Sequence, residues 1–436
     1  MKNFLLSTLL FLGIALNAQE PSIILSGPML GYTEMRETFV WVQFKEEVEA
    51  KMLYWPKGGT DTSVTSIKLS INENGNVLHF KAINLTPGTE YEYLFEVNEK
   101  NVLPPHNKSF KTQELWQHRT DPPNFKIALG SCTYINEPEF DRPGKPYGGE
   151  YQIFESIANK KPDMMLWLGD NTYLREADWN TWSGILHRYT HTRQTEEMQH
   201  LLSVCNHYAI WDDHEFGPND ADGSFTHKDL TLNAFKLFWG NNGYGINGKP
   251  GITGKFSYND ADFFLLDNRY YRTPNFKVQP KHILGDEQVK WLIEALKFSK
   301  ATFKFVAVGG QFLNSAAVFE NHAVFAEERE KLLQLIKAEN IKGVVFLTGD
   351  RHHSELSFYQ DENLKIYDLT VSPLTSGTST INNEQNEFRV EGSLIKQRNF
   401  GLIEIVGPAN DRAMAITYFD SNGMAIWGKE IKASDF

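Results

Sequence analysis

Six apolar runs in this chain stop on residues that could hold a metal or move a proton. FKIALGSC ends at Cys132, DMMLWLGDNTY brings Asp170 and Tyr173, and HYAIWDDHE brings Asp212, Asp213 and His214. DFFLLDNRYY carries Asp267 and Arg269, FKFVAVGGQ ends at Gln311, and GVVFLTGDRHH carries Asp350, His352 and His353. Taken singly, an Asp at a strand end more often caps a helix, and a lone His is more often a satisfied core or surface residue. Carboxylates, imidazole, phenolate and thiolate together are what a mixed hard and borderline metal centre uses. GDNTY puts Asp170 and Tyr173 on one turn, where a carboxylate can bridge two ions while the phenolate binds one. GDRH puts Asp350 and His352 two apart in an extended segment, so both can face one centre with Arg351 turned away. WDDHE offers Asp213 as a hard ligand and His214 as a nearby proton donor.

The elements that must position these groups are of two kinds. From about residue 21 to 115 short runs such as TFVWVQF and VLHF alternate apolar and polar residues, which predicts a small all-β sandwich. Within it, LTPGTEYEYLFEV resembles a fibronectin type III corner, with Tyr91 or Tyr93 pinning the next strand. After the polar stretch QHRTDPPN (117–124), apolar strand-like runs alternate with helical stretches at 147–160, 179–203, 227–240, 286–300 and 325–339. That is α/β grammar, in which ligands bind at the carboxyl ends of the strands.

The 436 residues exceed one ordinary core and predict two domains. A net charge of −12 argues against a nucleic-acid partner, and an acidic protein that handles anions needs local positive charge, which metal ions can supply. Residues 1–18 carry Lys2, an apolar run from Phe4 to Leu16 and a small residue at Ala18, and read as a cleaved signal peptide. No later stretch suits a membrane span, so the expected product is exported, periplasmic or secreted. Cys132 and Cys205 could form a disulfide in such a compartment, or Cys132 could serve as a ligand.

In order, "GSC", "GDNTY", "WDDHEFGPND", "LLDNRYYR", "LGDEQVKWL" and "TGDRHHSE", behind an N-terminal sandwich, resemble the alkaline phosphatase D (PhoD-like) family of calcineurin-like metallophosphoesterases. The resemblance implies a four-layer α/β fold of two packed sheets flanked by helices, preceded by the fibronectin type III-like sandwich. The implied division is a signal peptide at 1–18, a sandwich at 19–116, a linker at 117–124 and a phosphoesterase domain at 125–436. It also implies Fe(3+) and Ca(2+). Cys132, Asp170, Tyr173 and His352 would bind iron, with Asp170 bridging, and Asp213 and Asp350 would hold calcium, with Asn219 or Asp220 as further candidates. Asp213 and His214 form the expected catalytic pair, and Arg269, Arg351 and His353 are the expected substrate contacts. For Arg269 and Arg272 the competing reading is pairing with carboxylates such as Asp267, and for His353 it is packing behind His352. Gln311 stands where the superfamily carries a His, as a ligand or substrate contact. The implied activity is hydrolysis of a phosphomonoester or phosphodiester by metal-activated hydroxide. The alternative is a calcium-dependent carbohydrate-binding or adhesion protein with a degenerate hydrolase domain.

Overall fold

Val344-Val345-Phe346-Leu347 has no polar position, so a strand made from it must be covered on both faces. In a computed structural model of the chain, which describes residues 22–277, 279–380 and 384–436, it is covered on both. Val344–Thr348 is an inner strand of a six-stranded sheet ordered Gly254–Tyr258, Ala261–Leu265, Phe303–Ala307, Val344–Thr348, Leu364–Thr370, Glu355–Asp361. Phe263, Phe305, Val345 and Leu347 face one core, while Phe264, Val306, Val344 and Phe346 face another. The second core is closed by Leu292 and Leu296 of helix Asp286–Phe298 and by Leu332 and Ile336 of helix Ala326–Ala338.

The first core is closed by Ile127, Leu129, Leu166 and Ile403 from a nine-stranded sheet. Its order is Ala425–Lys432, Ala413–Asp420, Asn399–Val406, Phe125–Gly130, Met164–Leu168, Asn206–Ile210, Ile24–Thr33, Glu37–Phe44, Val77–Ile83. Helices Ile153–Asn159 and Glu196–Val204 lie against this sheet. Helices, sheet, sheet and helices give the four layers expected.

The N-terminal all-β region packs Val40 and Phe80 of the long sheet onto Met52, Tyr93 and Phe95 of the sheet built on Glu49–Pro56 and Glu90–Val97. Tyr91 is the corner residue, its Oη accepting the Thr86 N–H at 2.9 Å. Strand Ile24–Thr33 pairs in parallel with Asn206–Ile210 at Leu30↔Asn206, so one face of the sandwich continues directly into the larger sheet. Residues 117–124 carry no helix or strand. The expected signal peptide, 1–18, lies outside the described residues. Among the described residues no helix is long and apolar enough to cross a membrane, and Cys132 and Cys205 are both buried free thiols.

Candidate metal centre

Four strands deliver the candidate ligands. Phe125–Gly130 and Met164–Leu168 end two residues before Cys132 and Asp170, Val344–Thr348 two before Asp350, and Asn206–Ile210 just before the Asp212-Asp213 pair. Beyond the strand ends the backbone turns sharply: Cys132, Asp170, Asp350 and His352 have φ of 59°, 52°, 68° and 56°. Non-glycine residues in this left-handed region are strained, and such strain concentrates at functional sites. Here it is held by hydrogen bonds. The Cys132 N–H donates to Gly169 O at 3.2 Å, the Asp170 N–H to Glu215 Oε2 at 2.9 Å, and the His352 N–H to Ser372 Oγ at 2.9 Å.

The turns bring the side chains together. Cys132, Asp170 and His352 form one group whose ligand atoms lie within 4.8 Å of one another, and Asp170, Asp213 and His214 form a second, so Asp170 is common to both. Tyr173 Oη is 3.2 Å from Asp170 Oδ2 and 3.5 Å from His352 Nε2. Cys132 Sγ is 3.6 Å from Asp170 Oδ2 and accepts the Ser372 hydroxyl at 3.2 Å. The His214 ring lies on Tyr173 with centroids 4.1 Å apart, and its Nε2 is 4.0 Å from Asp213 Oδ2. His352 Nδ1 donates to Gly377 O at 2.5 Å, which leaves Nε2 as the lone-pair nitrogen facing the centre. Asp350 belongs to neither group; its backbone carbonyl, 3.6 Å from Cys132 Sγ, is what touches the cluster.

Charge tests whether these residues suit a metal. Burial, reinforced by Asp213 and Cys132, pushes the Asp170 carboxyl well above its ordinary range. Burial, then Asp170 and Cys132, does the same to the Tyr173 phenol, and burial raises the Cys132 thiol. Asp350 is raised by burial and by Asp212 and Glu320. Asp213 goes the other way: burial opposes its ionisation, but His214, Arg269 and the Asp220 N–H together draw it down to about 2. Acidic groups gathered around Asp170 with too little positive charge of their own are costly unless a cation joins them. Sulfur, nitrogen and two kinds of oxygen donor on that shared carboxylate fit a mixed dinuclear site.

Several expected site residues do other work. Arg269 is fully buried and spends its five N–H donors inside the protein, on Asp212, Glu320 and Ala221 O. None remains for a phosphate, and the carboxylates it pairs with are these rather than Asp267, which accepts the Arg269 backbone N–H at 3.0 Å. Arg351 is likewise turned away, donating to Gln311 Oε1 at 2.9 Å, Asn321 Oδ1 at 2.7 Å and Glu384 Oε2 at 2.7 Å. His353 is buried, its Nδ1 3.1 Å from Arg351 O, and does not reach the open face as a substrate contact must. Gln311 is buried in the same network, bonded to Glu355, Thr370, Asn314 and Arg351, so neither a ligand nor a substrate role fits it. Asn219 and Asp220 are exposed, and Asp220 reaches the centre through its N–H, 2.7 Å from Asp213 Oδ2.

Other residues at the site carried no expectation. Glu320 forms a third acidic group with Asp212 and Asp213 and bonds Arg272 at 2.8 Å. Glu215 accepts the Asp170, Asn171 and Asp212 N–H groups. Ser372 follows strand Leu364–Thr370, and its strand-end position in TVSP was the available signal. Tyr147 Oη lies 3.1 Å from His352 Nδ1; it opens the stretch expected to be helical at 147–160, of which only Ile153–Asn159 forms a helix.

Comparison with known proteins agrees with this geometry. A family model described as PhoD-like phosphatase matches residues 127–403, and one described as a domain of unknown function (DUF7800) matches 21–115. The chain is 24% identical over 364 residues to alkaline phosphatase D of Bacillus subtilis (strain 168), a match covering 72% of this chain and 58% of that relative. A solved structure of PhoD superposes with a TM-score of 0.75 at 18% identity, covering 94% of this chain and 89% of that one. Purple acid phosphatase PPD1 from yellow lupin (Lupinus luteus) seeds superposes with a TM-score of 0.66 at 13% identity, covering 93% and 74%. Identities this low establish a shared fold. The family match spans well over half of the sequence, and the chain belongs to the PhoD-like phosphatase family.

Proposed function

We propose that this protein is an exported, metal-dependent hydrolase of phosphoric esters, with iron(III) and calcium as its ions. The observation that carries the reading is the shared Asp170 carboxylate: a thiol, a phenol and an imidazole stand on one side of it, and a carboxylate and a second imidazole on the other. Cys132, Asp170, Tyr173 and His352 would hold the iron, the thiolate and phenolate favouring that metal. Asp213 and Asp350 would hold calcium, with the Asp170 carboxylate shared between the two ions. When bound, the ions supply Lewis-acid polarisation of the phosphoryl group and of the attacking water.

The remaining steps belong to the chain. The Nδ1–H bond to Gly377 O fixes the His352 tautomer and ring direction. The Asp170 Oδ1 atom accepts the His214 N–H at 3.3 Å, which ties the proton-bearing residue to the bridge. His214 is partly open, and no hydrogen bond of its ring is recorded among the described residues, so a ring nitrogen can protonate the leaving alkoxide or orient the phosphate.

The test is a side-by-side assay of a phosphomonoester and a phosphodiester on one preparation whose metals are quantified. Hydrolysis of at least one, with iron and calcium bound, is expected; hydrolysis of neither by metal-replete protein overturns the reading. Export is checked separately by the intact mass of secreted protein, which should begin near Gln19.

A further inference from the structure

Two exposed aromatic rings contact the segment that carries Asp350 and His352. Tyr147 is 44% exposed and Phe319 is 67% exposed. Tyr147 tilts over the His352 imidazole with centroids 5.9 Å apart, and its ring is braced edge-on against Tyr134 at 4.9 Å. Phe319 sits next to Glu320, which is buried on Arg269 and Arg272, and its ring lies under the Arg351 guanidinium at 5.0 Å. Arg351 and His352 are consecutive, so the two rings contact adjacent residues of the segment that carries Asp350 and His352.

Phe319 is placed at a cost. Its φ of 49° is in the left-handed region, where a bulky residue is a genuine outlier and Gly or Asn would be at ease. Strain of this kind persists where the surroundings over-determine it, and here Glu320 and Asn321 on its C-terminal side are locked by ion pairs and hydrogen bonds. A ring left mostly in water recovers little of that cost by burial. Apart from its contact with the Arg351 guanidinium, folding propensity and burial do not account for a phenyl group at this position.

We infer that Tyr147 and Phe319 form an aromatic rim that stacks on the leaving group of the ester. The substrates favoured would then be phosphoric esters of nucleosides or other alcohols bearing a planar aromatic group, over esters of small aliphatic alcohols. The inference rests on the hydrolase reading above. Stacking of a base on an aromatic side chain is strong enough to change kcat/KM about tenfold per ring.

The experiment compares a nucleoside 5′-monophosphate with glycerol 3-phosphate on metal-loaded enzyme, since both release an alkoxide and differ chiefly in the planar group. Phe319→Asn should melt at the same or a higher temperature, lose about tenfold in kcat/KM for the nucleotide and leave glycerol phosphate turnover unchanged. Tyr147→Ala should weaken the nucleotide in the same direction, with bound metal quantified because Tyr147 touches His352. A Phe319→Asn variant whose ratio between the two substrates stays within about twofold of the parent overturns the rim. Equilibrium dialysis of the nucleotide reads the rim without turnover. If neither monoester is hydrolysed, the hydrolase reading rests on the diester alone, while about tenfold weaker nucleotide binding by Phe319→Asn still supports the rim and equal binding still overturns it.

Discussion

Replacing Arg269 with lysine separates a framework residue from a phosphate-binding one. Arg269 Nε donates to Asp212 Oδ1 at 2.5 Å and Nη1 to Glu320 Oε1 at 2.9 Å, while Nη2 meets both carboxylates. All three side chains are buried, so solvent screening does not discount the pairing. A lysine keeps the charge but delivers it from one point with three donors, and it cannot fork onto two carboxylates at once. Arg272, 2.8 Å from Glu320 Oε1, can still cover that side, so the loss falls mainly on Asp212. Losing charged, buried hydrogen bonds to it should cost about 2–3 kcal/mol. Arg269→Met strands both carboxylates and should cost about 3–5 kcal/mol. Urea unfolding followed by tryptophan fluorescence reads the loss, and steady-state kinetics on the same variant reads KM. The expected result for Arg269→Lys is a lower unfolding midpoint with kcat/KM reduced through weaker metal retention, because Asp213 lies 3.7 Å from the same guanidinium. A variant with parental stability and metal content but a KM raised tenfold or more would refute the framework argument and restore Arg269 as a phosphate contact.

Further outcomes follow from the same geometry. Asp170→Asn should lose both bound metal and hydrolysis, while His214→Ala should keep the metal and lose about 10²–10⁴-fold in turnover; elemental analysis beside kinetics checks both. Phenolate and thiolate on iron(III) should colour the protein, with Tyr173→Phe removing or shifting the visible band and Cys132→Ser weakening iron retention. His207 should make the fold sensitive to acid: burial pushes its pKa from 6.5 down to about 3, so the unfolded chain holds the extra proton between those values. Stability from this group is therefore complete above about pH 6.5 and falls on acidification by up to about 1.4 kcal/mol per pH unit, a slope that His207→Gln should reduce in urea melts at pH 4–6.

The acid sensitivity of His207 rests on local bonding as well as burial. Trp167 Nε1 donates to His207 Nδ1 at 2.9 Å, and His207 Nε2 faces Leu201 O at 3.0 Å. The neutral Nε2–H tautomer satisfies both, whereas a second proton would set two N–H groups against each other.

What the sequence made legible was the set of strand ends. Val344–Thr348 and its parallel neighbours are short apolar runs, and ligand-type residues just past such runs are placed together by parallel topology. Hence Cys132, Asp170, Tyr173, Asp213, His214 and His352 meet as expected. The carboxylates that claim Arg269 were not legible, because Glu320 lies 51 positions away on a loop without periodicity. Choosing between a phosphate and a carboxylate for a guanidinium needs that long-range contact. The joined sheet was hidden for a related reason. ILSGPMLGYT reads as a mixed strand, yet nearly every residue of it is buried. Its Ser26 hydroxyl is satisfied by Arg193 O at 2.6 Å, a partner supplied by a helix 167 positions on.

The same long-range pairing explains which carboxylates are left for metal. Three acidic groups around the centre have ligand atoms close enough for an ion, but that of Asp212, Asp213 and Glu320 already contains the Arg269 guanidinium, with Arg272 behind it. A cation entering there would have to displace a charge the chain itself supplies, and it would strand a buried arginine. Of the two groups that share Asp170, the one with Asp213 still meets Arg269 at 3.7 Å, whereas among the described residues the group of Cys132, Asp170 and His352 has no ion pair to an arginine or lysine, and burial pushes the His352 pKa down. The His352 ring, its Nδ1–H held by Gly377 O, presents a lone pair rather than positive charge, which suits a ligand and leaves the Asp170 carboxylate, the Cys132 thiol and the Tyr173 phenol without a compensating charge in that group. The arginines thus fill the outer acidic group and leave the pair of groups that Asp170 joins as the proposed metal site.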